Sequence, residues 1–261
     1  MKTRTAEAAE QFEEAVRTAP SHNPTLQRLA AVYRKLDRAA EARALYEREM
    51  MNNAYEVGAV LALAELDLAD GSPESLRTAE RRLTDLLGKV GEHAATRVSL
   101  GVVLFSLGQK GEAMQQYLLA LGDEPTNVTA ATNLSQLILS GESQAGARTR
   151  ESLCRNADTV PVAAAACAFL ELAESNHERS LTVAAGIRGG GDSAEARRLL
   201  LAALERFDQA HPEIPWSIAL AVEVLLADGN FPAAEAFLGI FAGRCKESSC
   251  AEVLDRLRRE V

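Results

Sequence analysis

Apolar residues recur along the chain at helical intervals, and Gly and Pro fall between the periodic runs, a pattern of many packed helices rather than of a sandwich or barrel. The clearest segment is Leu100-Gly101-Val102-Val103-Leu104, followed by Gly108, Ala113, Tyr117, Ala120 and Pro125. Small residues such as Gly101 and Ala113 let two antiparallel helices approach closely, while Leu100, Leu104 and Tyr117 fill the space between them. Gly108 turns the chain and Pro125 stops the second helix. The spacing therefore predicts a helical hairpin.

The same spacing returns at Leu29-Ala30, Tyr33, Asp37, Ala42 and Tyr46, with Asp37 in place of a turn glycine and Glu49 where a small residue is more usual. It returns at Leu63-Ala64, Gly71, Ala79 and Leu83, where Ser72-Pro73-Glu74 lengthen the turn at little cost. Leu134-Ser135 stand 34 residues after Leu100-Gly101 and are followed by Ile138, Ala147 and Cys154. Upstream, Ala8, Phe12, Ala15 and Pro20 fit a second helix with too few residues before it to build a first, so the chain is expected to open mid-repeat, with an upstream segment removed. Val183-Ala184, Ile187, Gly191, Ala196, Leu200 and Ala203 predict one further unit, and Ala221-Val222, Leu225, Gly229, Phe231, Ala234 and Leu238 another. Between the two groups, Pro161 to Ser175 reads as an Ala-rich helix out of phase with the alternation. A last amphipathic helix with Val253, Leu254 and Leu257 would cover the final exposed face.

This pattern resembles the tetratricopeptide repeat (TPR) family over about nine tenths of the chain. The resemblance implies an all-α fold, a right-handed superhelical solenoid of TPR helical hairpins with a phase break near 157–177. It divides the chain into an N-terminal TPR array over 1–160 (a half repeat plus four repeats) and a C-terminal helical region over 161–261 (linking helix, two TPR-like repeats, capping helix). It also implies protein or peptide binding along a groove lined by the first helix of each unit. The groove positions are then Arg34; Leu61 and Leu68; Val98, Val102 and Phe105; and Thr132, Asn133, Gln136 and Leu139. With Gln27, Ala31, Arg34 and Lys35 in the first unit, the entrance is basic, and the middle is apolar. Of the Lys, Asn and Arg clamp with which some family members grip a C-terminal carboxylate, only Asn133 and the group Arg28, Arg34 and Lys35 are matched, so the clamp is not reproduced. The stripe is expected instead to take an apolar strand or amphipathic helix. The alternative is that these residues pack against neighbouring helices or lie under another part of the chain.

The net charge of −9 and a pI near 5.1 disfavour a phosphate backbone or an anionic membrane as partner, since either needs a concentrated basic surface. No apolar run approaches the roughly 20 residues that span a bilayer, so direct membrane insertion is not expected. Four cysteines, Cys154, Cys167, Cys245 and Cys250, match no common zinc spacing. Cys245 and Cys250 bracket a polar turn, and Cys154 and Cys167 would fall on adjacent helices, so two disulfides are geometrically allowed. The pairings favour a periplasmic or envelope-associated location over the cytoplasm; the alternative is buried thiols in a reducing cytosol.

Candidate chemistry is sparse. His22, His93, His177 and His211 lie near helix ends or loops, without the paired spacing of metal ligands, and Gly189-Gly190-Gly191 lacks the following Lys-Ser/Thr of a phosphate loop. No serine sits in a nucleophile elbow. Neither a catalytic residue nor a metal site nor a cofactor is expected. The reading is a non-enzymatic scaffold for a protein or peptide partner rather than a nucleic acid, within a bacterial envelope, secretion, pilus or motility assembly. The alternatives are a cytosolic TPR adaptor or co-chaperone and an accessory domain of an enzyme.

Overall fold

The computed structural model describes residues 2–19, 23–141, 145–189, 191–246 and 248–261. Among the described residues there are fifteen α-helices and no strands, and the chain is 80% helical. None of these helices is long and apolar enough to cross a membrane. The chain divides into two compact units, Met1–Asp123 and Glu124–Val261.

The first unit holds α1 (Lys2–Thr18), α2 (Asn23–Lys35), α3 (Ala39–Asn52), α4 (Val57–Asp70), α5 (Pro73–Val90), α6 (Ala94–Ser106) and α7 (Lys110–Asp123). Helices α2–α3, α4–α5 and α6–α7 pair as hairpins, α1 packs on α2, and each second helix also packs on the next first helix. The expected close approach is visible at Gly101, where a Cβ would stand 2.5 Å from the Tyr117 ring. Leu29, Ala30, Tyr33, Ala42 and Tyr46 join Ala9 and Leu63 in one buried cluster. A buried carboxylate ties three helices together: Asp67 of α4 receives Arg43 of α3 at 2.7 Å and Arg82 of α5 at 2.9 Å.

The turns mark the repeat register. Ala30, Ala64, Gly101, Ala168 and Val222 are each followed seven residues later by a residue with positive φ: Asp37 (60°), Gly71 (69°), Gly108 (81°), Ser175 (63°) and Gly229 (74°). That conformation lets the second helix fold back at once, bringing Ala42, Ala79, Ala113, Ser180 and Ala234 to buried positions against the first.

The second unit holds α8 (Val128–Leu139), α9 (Ala147–Arg155), α10 (Pro161–Ala173), α11 (His177–Ala185), α12 (Asp192–Ala210), α13 (Trp216–Ala227), α14 (Phe231–Arg244) and α15 (Ser248–Glu260). The break in the alternation is present, but the helix responsible is α12 and not the Ala-rich α10. Helices α10 and α11 form a hairpin in regular register, closed by a hydrogen bond from Ser180 Oγ to the Ala168 carbonyl at 2.7 Å. Ten of the thirteen residues of α10 are buried, so its apolar positions surround the helix and hide its phase. The unit expected from Val183 to Ala203 is not a hairpin: α11 packs on α10 and α13, whereas α12 packs on α8, α10 and α13. Helix α12 forms no hairpin with either of its chain neighbours. Its Ala196 and Ala203 mimic repeat spacing because they too are small residues at a tight helix contact.

The hairpin α13–α14 forms as expected, and α15 packs on both its helices through buried Leu257 and an ion pair of 2.5 Å between Arg256 and Glu223. The division between units falls at 123/124 rather than at the expected 160/161, because α8 and α9 both pack on α10.

Non-glycine residues in the left-handed region carry a conformational cost of about 1 kcal/mol, smaller for Asp than for Ser. Ser175→Gly is therefore expected to raise the urea midpoint by the equivalent of about 0.5–1 kcal/mol, and Asp37→Gly by less. An unchanged or lower midpoint for Ser175→Gly would contradict this account of the turn.

Candidate partner-binding surface

The first-helix face of the first unit is built by α2, α4 and α6. Helices α4 and α6 touch directly, and α2 is linked to α4 by the Arg34 guanidinium, which donates to Glu65 at 2.5 Å. On α4, Leu61 and Leu68 lie two turns apart and are half-buried. On α6, Val98 is buried, Val102 is half-buried and Phe105 is 43% exposed. An apolar stripe thus runs over α4 and α6 beside a charged bridge, with Arg28 and Lys35 exposed on α2.

The remaining expected groove positions, Thr132, Asn133, Gln136 and Leu139, lie on α8 in the second unit. Thr132 and Asn133 are half-buried and Gln136 is exposed. Leu139 is not open to a partner: it is 1% exposed, and its carbonyl accepts a hydrogen bond from Arg206 of α12. The cause is α12 itself, which occupies the first-helix face of this unit. Its Ala196, Leu200, Ala203 and Leu204 are buried, and Phe207 meets Phe169 of α10 edge-on at 5.9 Å. Arg197 donates twice to Asp228, at 2.9 and 2.6 Å, and to the carbonyls of Ile187 and Gly189 at 3.0 and 2.9 Å. A guanidinium buried this deeply is tolerable because its donors are so fully used.

A second apolar surface escaped the sequence reading. Helices α12, α13 and α14 enclose an open cleft of 580 Å³, with Phe237 and Ile240 on its α14 wall. The available signal was α14 itself, with two charged residues in fourteen and its apolar side chains three apart.

Cys154 and Cys167 form a disulfide that ties α9 to α10, with Cα atoms 4.9 Å apart. The second allowed pairing is not formed. Cys245 ends α14 half-exposed, whereas Cys250 is fully buried at the start of α15, and both are free thiols. Cys154, Cys167 and Glu171 bring three donor atoms within 4.8 Å of one another. Both sulfurs are spent in the disulfide, however, and Glu171 is held by Asn176 at 2.6 Å and Arg179 at 3.4 Å. His93 caps α6 by accepting from the Thr96 amide at 3.2 Å, His177 stacks on Trp216 at 4.6 Å, and His211 lies 3.6 Å from Glu213. Gly189 and Gly191 both have positive φ in the turn into α12. Pro20, His22 and Gly190 lie outside the described residues.

Glu49, at the position that usually takes a small residue, is fully buried at the end of α3. Gln27 of α2 donates to it at 2.6 Å. Burial pushes the Glu49 carboxyl above its ordinary value of 4.5, a shift partly offset by the Gln27 hydrogen bond.

No protein-family model matches the chain, and no curated protein matches it by sequence. Solved structures do match by shape. The structure of IFIT1 with m7Gppp-AAAA superposes with a TM-score of 0.51 at 14% identity, covering 94% of this chain and 57% of that one. MamA gives a TM-score of 0.48 at 16% identity, covering 68% of this chain and 93% of its own. Yeast Tom70 gives 0.47 at 13% identity, covering 99% and 59% respectively. All three are TPR-type helical repeat proteins. The fold is TPR-like. At these identities the likeness concerns architecture, and the turn register and small-residue contacts described above are its local counterpart.

Two outcomes are expected. The folded chain holds the Glu49 proton more tightly than the unfolded chain does, so the ionised carboxylate costs stability at neutral pH, and that cost disappears as pH falls through the folded value. Glu49→Gln should accordingly raise the urea midpoint at pH 7 and have a smaller effect near pH 4.5; equal effects at both would rule out titration of this group. Thiol titration of the denatured chain without reductant should count two free thiols, rising to four after reduction, with Cys154 and Cys167 recovered in one linked peptide pair.

Proposed function

We propose that the chain is a non-enzymatic scaffold that holds a segment of a partner protein against the first-helix face of its first unit, with Phe105 as the principal anchor. The observation that carries this reading is the contrast between the units. In the second unit α12 fills the first-helix face, whereas in the first unit Leu61, Leu68, Val102 and Phe105 keep apolar surface towards solvent. Helical-repeat proteins of this kind are typically scaffolds, which supports the same reading. A partner segment with apolar residues spaced along a strand or helix would cover that stripe, and acidic residues would meet Arg28 and Lys35. The Cys154–Cys167 disulfide favours an oxidising compartment. A periplasmic or envelope-associated assembly, such as a secretion, pilus or motility complex, is the setting that fits both features.

The test is affinity capture from the native source with wild type and Phe105→Asp in parallel, after both give the same helical circular dichroism and with nuclease present throughout. A captured protein would then be purified and its affinity measured directly. Loss of an anchoring aromatic typically costs about 2 kcal/mol, so the variant should bind about 30-fold more weakly. Equal affinity for the two proteins would move binding away from this face.

A further inference from the structure

The cleft between α12, α13 and α14 is a second apolar surface, independent of the first unit. Its floor is one face of α13, where Ile218, Ala221 and Leu225 recur at helical spacing. The first and last of these stand seven positions apart, or roughly 10 Å of helix, which is two turns. Leu201 of α12 stands on one side and Phe237 and Ile240 of α14 on the other. Phe237 is 39% and Ile240 46% exposed, although the core of the same unit is well filled. Two helical walls over a helical floor form the kind of groove into which a further helix packs. Helix α12 already lies in this way over α8, α10 and α13.

Charge is confined to one end. There Asp208 accepts from Ser217 Oγ at 3.1 Å and pairs with Arg244 at 2.8 Å. Glu205, one turn earlier on α12, is exposed and has no ion pair among the described residues. That end of the cleft therefore presents two carboxylates against one guanidinium.

We propose that this cleft docks two turns of an amphipathic helix from a partner protein, whose apolar side chains at i, i+3 or i+4, and i+7 enter the cleft and whose Lys or Arg lies beside Glu205. The apolar floor sets the length and spacing of the guest. The acidic end sets its charge and its direction. The scaffold then carries two separate docking surfaces, one on each unit.

The probe is a stapled, fluorescein-labelled helical peptide of about 14 residues with Leu at those three spacings and Lys at one end, titrated by anisotropy against the full chain. Ile240→Ser and Glu205→Lys both alter exposed side chains, and unchanged circular dichroism would confirm that each variant folds. Wild type and Phe105→Asp should bind the peptide alike, and Ile240→Ser should bind it at least about tenfold more weakly. Glu205→Lys should weaken the Lys-ended peptide and strengthen a Glu-ended version. Four results would overturn the proposal. They are no binding to wild type; equal binding to wild type and Ile240→Ser; loss of binding in Phe105→Asp, which would place the peptide on the first unit; and self-association in sedimentation that Ile240→Ser abolishes and that excludes the peptide, which would make a second copy the occupant.

Discussion

Everything in this fold rests on how closely two antiparallel helices can approach. At Gly101 there is no room for even one additional carbon atom before the Tyr117 ring, and the equivalent first-helix positions elsewhere are alanine, or valine at Val222. Close contact between helices brings the larger side chains on either side into dense packing, which is where the dispersion and hydrophobic terms are gained. The turn has to serve that contact. A residue in the left-handed conformation seven positions on reverses the chain so that the second helix folds back against the first, and Asp37 and Ser175 accept the backbone cost that glycine would avoid.

The same geometry explains why one unit has an open face and the other does not. First helices packed side by side leave a face turned away from their second helices. In the first unit this face keeps a half-buried apolar stripe and the Arg34–Glu65 bridge. In the second, an inserted 19-residue helix lies over it and is fastened at both ends, by Arg197 to Asp228 and by Arg206 to the end of α8. The disulfide adds a covalent tie between α9 and α10.

Much of the architecture could be read from residue spacing, because the hairpins α2–α3, α4–α5, α6–α7 and α13–α14 are specified by local rules: small residues, a turn, and a fixed interval between them. Glu49 was conspicuous for the same reason, since a carboxylate at a small-residue position violates the local rule. What could not be read depended on contacts between distant segments. The Ala-rich α10 lost its phase because it is surrounded, and α12 mimicked a repeat because any tightly packed helix favours small residues. Leu139 occupied a plausible groove position, and only the arrival of Arg206, 67 residues later, reveals that it is covered. The cleft beside α14 draws its lining from three helices. Exposed Phe237 and Ile240 marked one wall of it, but nothing in their spacing marked the other two.

A stack of hairpins in which each touches only its neighbours behaves as a one-dimensional chain, able to open from either end one repeat at a time. The first unit has this connectivity. Helix α12 changes it in the second unit, because it touches α8, α10 and α13 at once and so joins segments that a simple array would leave independent. Opening any one of those helices exposes surface on α12 and thereby loosens the others. The insertion thus converts a row of semi-independent repeats into a cooperative block, with its local fluctuations tied to the stability of the whole unit.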